Sequence, residues 1–309
     1  MTRFGDFEPL CRNTPSYQWC NLFFKQALRT ASQILTGASS DVATAPVGIN
    51  PVCGISFVGT NGSLANIGNI VACALSLIFV AFLIWRSSMR RAAVGRVEFL
   101  YFLLLYFVSL ILNLITTGSF LHQGSTALVV LTAIHAGIVA ALFWTLVGNA
   151  LVSTQIVEDG TLSSLIPFTF FTLAFFAATT YISLDVAFGF TTVFGPSNPP
   201  ADLHSIPLFV LTNIWEGAAA IIYLALMLYI ILFMLNEVKP AYFYLLAAVL
   251  FILAQLDGFL LSKVICEGVS HKLDGTFVAT VLETACVGVL YLGWKSITEE
   301  SWDDDYYRR

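Results

Sequence analysis

Residues 64–91 read LANIGNIVACALSLIFVAFLIWRSSMRR, a run of 22 residues without a formal charge followed by Arg86, Arg90 and Arg91. A bilayer core is about 30 Å thick and a helix rises about 1.5 Å per residue, so roughly 20 apolar residues suffice to cross it. The first part of the stretch is therefore a membrane span over 64–85, and its arginines mark the flank that stays in the cytosol. Working outward, the same test finds six more spans, at 98–117, 127–151, 165–186, 207–235, 241–262 and 276–294. The composition agrees, with 58% hydrophobic and only 11% charged residues against roughly a quarter charged in soluble domains. The runs lack the alternation of barrel strands, so the expected fold is an all-α membrane protein, a seven-transmembrane helix bundle. The fifth run exceeds what a bilayer needs, which predicts tilt or a helical extension.

Arg86, Arg90, Arg91 and Arg96 occupy the first loop, whereas the second and fourth loops carry no Lys or Arg. This places the N-terminus in the lumen or outside the cell and the C-terminus in the cytosol, with Lys263 and Lys272 of the sixth loop opposing the rule. The chain divides into a lumenal tail over 1–63, the bundle over 64–294 and an acidic cytosolic tail over 295–309. Residues 1–15 hold no apolar segment, so the first span is expected to act as the targeting signal. Within the tail, Leu22, Phe23, Ala27, Leu28, Ala31, Ile34 and Leu35 recur at helical spacing, which predicts a short amphipathic helix lying on the membrane surface. The Gly-, Ser- and Thr-rich stretch 37–63 reads as a loop.

Topology gives the cysteines meaning. Cys73 and Cys286 fall inside spans and read as packing residues, while Cys11, Cys20, Cys53 and Cys266 all fall on the oxidising lumenal side. Four such thiols allow two disulfides in three pairings, among which the sequence does not choose; free thiols are the other reading. Inside the spans, His135, Glu216, Asp257 and Glu283 each lie about two turns from the lumenal end of their helix. An ionisable side chain at mid-span costs about 2.5 to 3.5 kcal/mol, so the group is either a ligand cavity, proton relay or metal site, or an interhelical network that locks the bundle. Motifs of zinc, serine and nucleotide chemistry are missing: the sequence has no H-E-x-x-H, no G-x-S-x-G and no Walker loop, so no catalytic, metal-binding or cofactor-binding residues are expected.

The sixth loop, Ile265-Cys-Glu-Gly-Val-Ser-His-Lys-Leu-Asp-Gly275, is dense in polar groups where charge is otherwise scarce. Its Cys266, Glu267, Gly268, His271, Asp274 and Gly275 resemble the I-C-E-G-x-x-H-x-x-D-G signature of the fungal chitin synthase export chaperones. Gly95-Arg96-Val97-Glu98 resembles that family's entrance to its second span, and Glu158-Asp159-Gly160-Thr161 its cytosolic turn. Phe7, Cys11, Thr14-Pro15 and Cys20 resemble its start, and Asp303-Asp304-Asp305 its acidic finish, so the likeness runs in order along nearly the whole chain. The resemblance implies a multi-pass endoplasmic-reticulum protein that helps a chitin synthase fold and leave that compartment without polymerising sugar, in support of cell-wall synthesis. The expected partners are that synthase and membrane lipid, with no nucleic acid. The run Glu299 to Arg309 is either a solvated terminus or a contact for client or export-coat machinery. In the signature loop, Glu267, His271 and Asp274 either shape a lumenal surface or cap the flanking helices. A seven-span enzyme, receptor or transporter built on the lumenal-leaflet polar cluster is the alternative.

Overall fold

The structure is a computed structural model that describes residues 3–35, 48–55, 64–90, 93–156, 158–194, 197–269 and 272–298. His271, the acidic run 299–309 and most of the loop 37–63 lie outside the described residues. Two short helices open the chain, α1 (Glu8–Asn13) and α2 (Cys20–Thr30). Seven helices long and apolar enough to cross a membrane include α3 (Ile67–Met89), α4 (Arg96–Thr117), α5 (Thr126–Ser153), α6 (Leu162–Phe188), α7 (Ile206–Met234) and α8 (Lys239–Leu256). A short helix α9 (Ser262–Gly268) comes after α8, and α10 (Gly275–Ile297) is the seventh span.

Local chemistry sets the helix ends. The Ser125 side chain accepts a hydrogen bond from the Leu128 N–H and starts α5, while Pro207 and Pro240 stand in the first turns of α7 and α8, where a missing N–H costs nothing. The long fifth run is one 29-residue helix interrupted by π-turns at Val210–Ile214 and Ile230–Met234. A third π-turn, Asp257–Leu261, links α8 to α9. Each admits an extra residue and rotates the downstream part of the helix about its axis.

Packing arranges the spans around α5, which lies against α4, α6 and α7, while α3 sits between α4 and α10 and α8 lies along α10. In α5 61% of the most apolar window is buried, against 11% in α6, so α6 is the outermost helix. Its seam with α5 is tight. A Cβ on Gly137 would stand 2.7 Å from the Phe176 carbonyl oxygen, so the glycine is what allows the backbones to approach. Indole N–H groups are satisfied within the bundle: Trp144 donates to the Phe168 carbonyl and Trp215 to the Ala140 carbonyl, with Phe175 stacked between the two rings.

The tail differs from its sequence reading. The helix forms over α2, but its apolar stripe faces protein: Leu22 and Phe23 are buried in one cluster with Val129 and Ala133 of α5 and Val186 of α6, and Ala27, one turn on, is buried as well. Gln26 donates to the Val186 carbonyl at 2.8 Å and Lys25 to the Gly124 carbonyl at 2.9 Å. Hydrophobic spacing marks a buried face without saying whether lipid or protein covers it.

Candidate functional site

The tail and the sixth loop form a cap over one end of the bundle. Cys11 pairs with Cys20 and closes the α1–α2 turn, and Cys53 pairs with Cys266 at the end of α9, 213 residues on. At the centre of the cap stands Asp274, fully buried. As N-cap of α10 its carboxylate accepts from the Thr276 N–H at 3.1 Å, and it also accepts from the Ser16 N–H at 2.9 Å and the Asn66 side-chain amide at 3.1 Å. One acidic group thus ties the tail, the start of α3 and the start of α10 together by charge-assisted hydrogen bonds. Gly275 is fixed by space, since a Cβ there would lie 3.0 Å from the Asp257 carbonyl oxygen and the Ser262 Cα.

Asp274 therefore caps a helix inside the fold instead of shaping an exposed surface. Glu267 is exposed and, among the described residues, pairs with Lys263 one turn back, at 3.8 Å, and a Cβ on Gly268 would meet open space. Such an exposed pair contributes little. Between them, Ile265 to Gly268 are helical, so the polar stretch begins inside α9.

Beneath the cap lies a cavity of about 400 Å³ walled by α4, α5, α7, α8 and α10. His135, Glu216 and Glu283 line it from three helices, joined by Asn113, Asn213 and Gln255. Asp257 does not line it, which corrects the four-residue cluster: it is buried under the cap, where the neighbouring Gly258 carbonyl accepts from Thr14 at 2.7 Å. Tyr17, Gln18 and Trp19 roof the cavity. Trp19 packs edge-on against His135, and Tyr17 donates to the Asn213 side-chain oxygen at 3.1 Å. Burial pushes the Tyr17 phenol well above its ordinary range, with Glu216 acting in the same direction, so it stays a neutral donor. Ile221 of α7 and Ile252 of α8 line the cavity and are exposed on the outer face, at 70% and 54%, which places a mouth between these helices.

The carboxylates in this cavity are unlike Asp274. Neither Glu216 nor Glu283 makes a hydrogen bond or ion pair with another described residue, and the Nδ1 of the buried His135 has no hydrogen-bond partner. Among the described residues, no group of three His, Cys, Asp or Glu side chains is placed to hold a metal. Alongside runs a neutral polar seam that a search for ionisable residues passes over. Asn69 of α3 donates to Thr117 at 2.9 Å and accepts from Thr280 at 2.8 Å, while Thr284 bonds Ser76 at 2.8 Å and Tyr106 at 3.0 Å. Its sequence signal is the helical spacing of Asn69, Cys73 and Ser76 facing that of Thr280 and Thr284.

A family model described as chitin synthase export chaperone matches residues 3–306. The chain belongs to the chitin synthase export chaperone family. Proteins of that name from Coccidioides immitis and Candida glabrata are 29% and 25% identical to it, covering 96% of this chain and 83% and 94% of their own lengths. A third, from Neurospora crassa, is 27% identical over 97% of this chain and 78% of its own. No solved structure matches. The stretches 95–98 and 158–161, far apart in sequence, meet at the arginine-rich end. Asp159 accepts from the Gly95 N–H at 3.0 Å, and the buried Glu98 accepts from the Gly160 N–H at 3.3 Å and the Ser164 hydroxyl at 2.9 Å. Gly95 and Gly160 hold φ of +65° and +67°, the left-handed region that glycine tolerates. Arg96 points elsewhere, donating to the Ser88 carbonyl at 3.3 Å, and Glu158 is exposed.

Proposed function

We propose that this chain is a client-specific membrane chaperone of the endoplasmic reticulum, which assists folding of a multi-span chitin synthase and its departure from that compartment. The observation that carries this reading is the family match along residues 3–306. Its role is to bind and shield, without catalysing a reaction. A nascent polytopic client exposes span surfaces that end up buried, and a seven-helix bundle can cover them by van der Waals packing and a few interhelical hydrogen bonds. The tail end faces the lumen: both disulfides lie there, where oxidation is favoured, and Arg86, Arg90 and Arg96 lie at the opposite end. The segment 1–63 then acts as a lumenal cap, and the acidic run 299–309 reaches the cytosol, where export-coat machinery is found.

The test is delivery of a tagged chitin synthase in cells lacking this chain. Retention of the synthase in the endoplasmic reticulum, relieved when the chain is restored, is expected; normal arrival at the surface overturns the proposal. Removing 299–309 tests the coat contact separately, since unchanged export rules it out.

A further inference from the structure

The geometry points to the cavity between α7 and α8 as a receptor for one basic side chain, a Lys or Arg carried within a membrane span of the client, with Glu216 and Glu283 as its acceptors. This deepens the chaperone reading and rests on it. Three observations converge. Glu216 and Glu283 project from different helices into one cavity, and neither has a hydrogen-bond or ion-pair partner among the described residues. His135, 2% exposed, lines the same cavity with an unpartnered Nδ1. The mouth opens sideways between exposed Ile221 and Ile252, so a group can enter from a neighbouring helix without crossing water.

Charge complementarity selects the occupant. Acidic groups left unpaired within spans favour a cation or strong donor, and a span with an isolated Lys or Arg has the reciprocal need until its own fold supplies a partner. A lipid amine is disfavoured by position, because Tyr17, Gln18 and Trp19 roof the cavity at the cap end, and Phe102, Phe143 and Phe251 line its wall. Release then occurs when the client's own acidic or polar partner takes over the basic group.

The full chain is placed in phosphatidylcholine nanodiscs with a 23-residue Leu/Ala transmembrane peptide carrying one central Lys and a photo-crosslinker, beside the same peptide with Leu at that position. At least tenfold more adduct with the Lys peptide is expected, mapping to α7 and α8 and lost in E216Q/E283Q. Equal adduct from both peptides, or full capture by E216Q/E283Q, overturns the inference. So does displacement of the Lys peptide by added phosphatidylethanolamine, which would mark a lipid site. Inaccessibility of the buried free thiol of Cys73 to alkylation in the variant shows that it is folded; should it not fold, Ala220→Phe, which fills the cavity from α7, replaces it with the same expected loss. Co-purification of the synthase is read in parallel. No synthase with the wild-type chain defeats the chaperone reading itself, whereas equal synthase with wild type and E216Q/E283Q defeats only this inference.

Discussion

Asp274 under the cap and the Glu216–Glu283 pair in the cavity are carboxylates in one protein with opposite surroundings. The first is fully buried and accepts from two backbone N–H groups and an amide, drawn from three parts of the chain. The second pair faces open space with no hydrogen bond or ion pair among the described residues. Asp274, which holds the cap together, is already well supplied with donors, whereas Glu216 and Glu283 are free to meet something else. The tight α5–α6 seam and the open α7–α8 mouth repeat the contrast in packing.

The largest effect expected on the holding side comes from the cap's disulfides. Cys53 and Cys266 close a loop of 213 residues, Cys11 and Cys20 one of 9. Loop-closure entropy makes the first bond worth about 5 kcal/mol and the second about 2.5 kcal/mol. Thermal unfolding of Cys53→Ser with Cys266→Ser, set beside Cys11→Ser with Cys20→Ser, should reproduce that order; equal losses would mean the long bond spans regions already held by other contacts. Next comes Asp274→Ala, expected to cost on the order of 3 kcal/mol because it leaves buried donors of Ser16, Asn66 and Thr276 unpaired. Faster reduction of the Cys53–Cys266 disulfide in this variant would show that the cap has loosened; an unchanged melting temperature would remove Asp274 from the holding set.

Much of the fold is legible in the sequence, for a physical reason. Span length is a bulk constraint, and it locates all seven long helices to within a few residues, apart from the end of the sixth, where the Asp257 π-turn intervenes. That same turn separates Asp257 from the other three ionisable residues, an irregularity that counting residues from a helix end misses. The pairing of the four cysteines depends on which loops meet in space, and spacing alone leaves it open. The polar seam of Asn69, Thr280 and Thr284 escapes a hydropathy reading because neutral amides and hydroxyls barely disturb it; only their helical spacing marks them.

A smaller loss is expected at the opposite end. Glu98 joins two motifs about 60 residues apart through Gly160 and Ser164, yet its Oε2 is buried without a partner. It stands between the saturated Asp274 and the unpaired Glu216 and Glu283. Glu98→Ala should cost about 1 to 2 kcal/mol, as two hydrogen bonds go while one unsatisfied atom goes with them. Chemical denaturation or thermal melting of the purified variant measures it, and a loss matching that of Asp274→Ala would erase the distinction between the two ends.

The smallest stability effect, and the sharpest test of the contrast, belongs to Glu216→Gln and Glu283→Gln. Each replaces a carboxylate that has no hydrogen-bond or ion-pair partner to lose, and a neutral amide is cheaper to keep in a low-dielectric cavity than an acid that can ionise. The change in unfolding free energy is expected to stay within about 0.5 kcal/mol of zero, or to favour the variant. Thermal melting in the same detergent as Asp274→Ala makes the comparison direct. A loss approaching that of Asp274→Ala would place the two glutamates in the holding network and close the cavity as a receiving site. Unchanged stability together with lost capture of a basic span would separate the groups that build this bundle from those that serve its client.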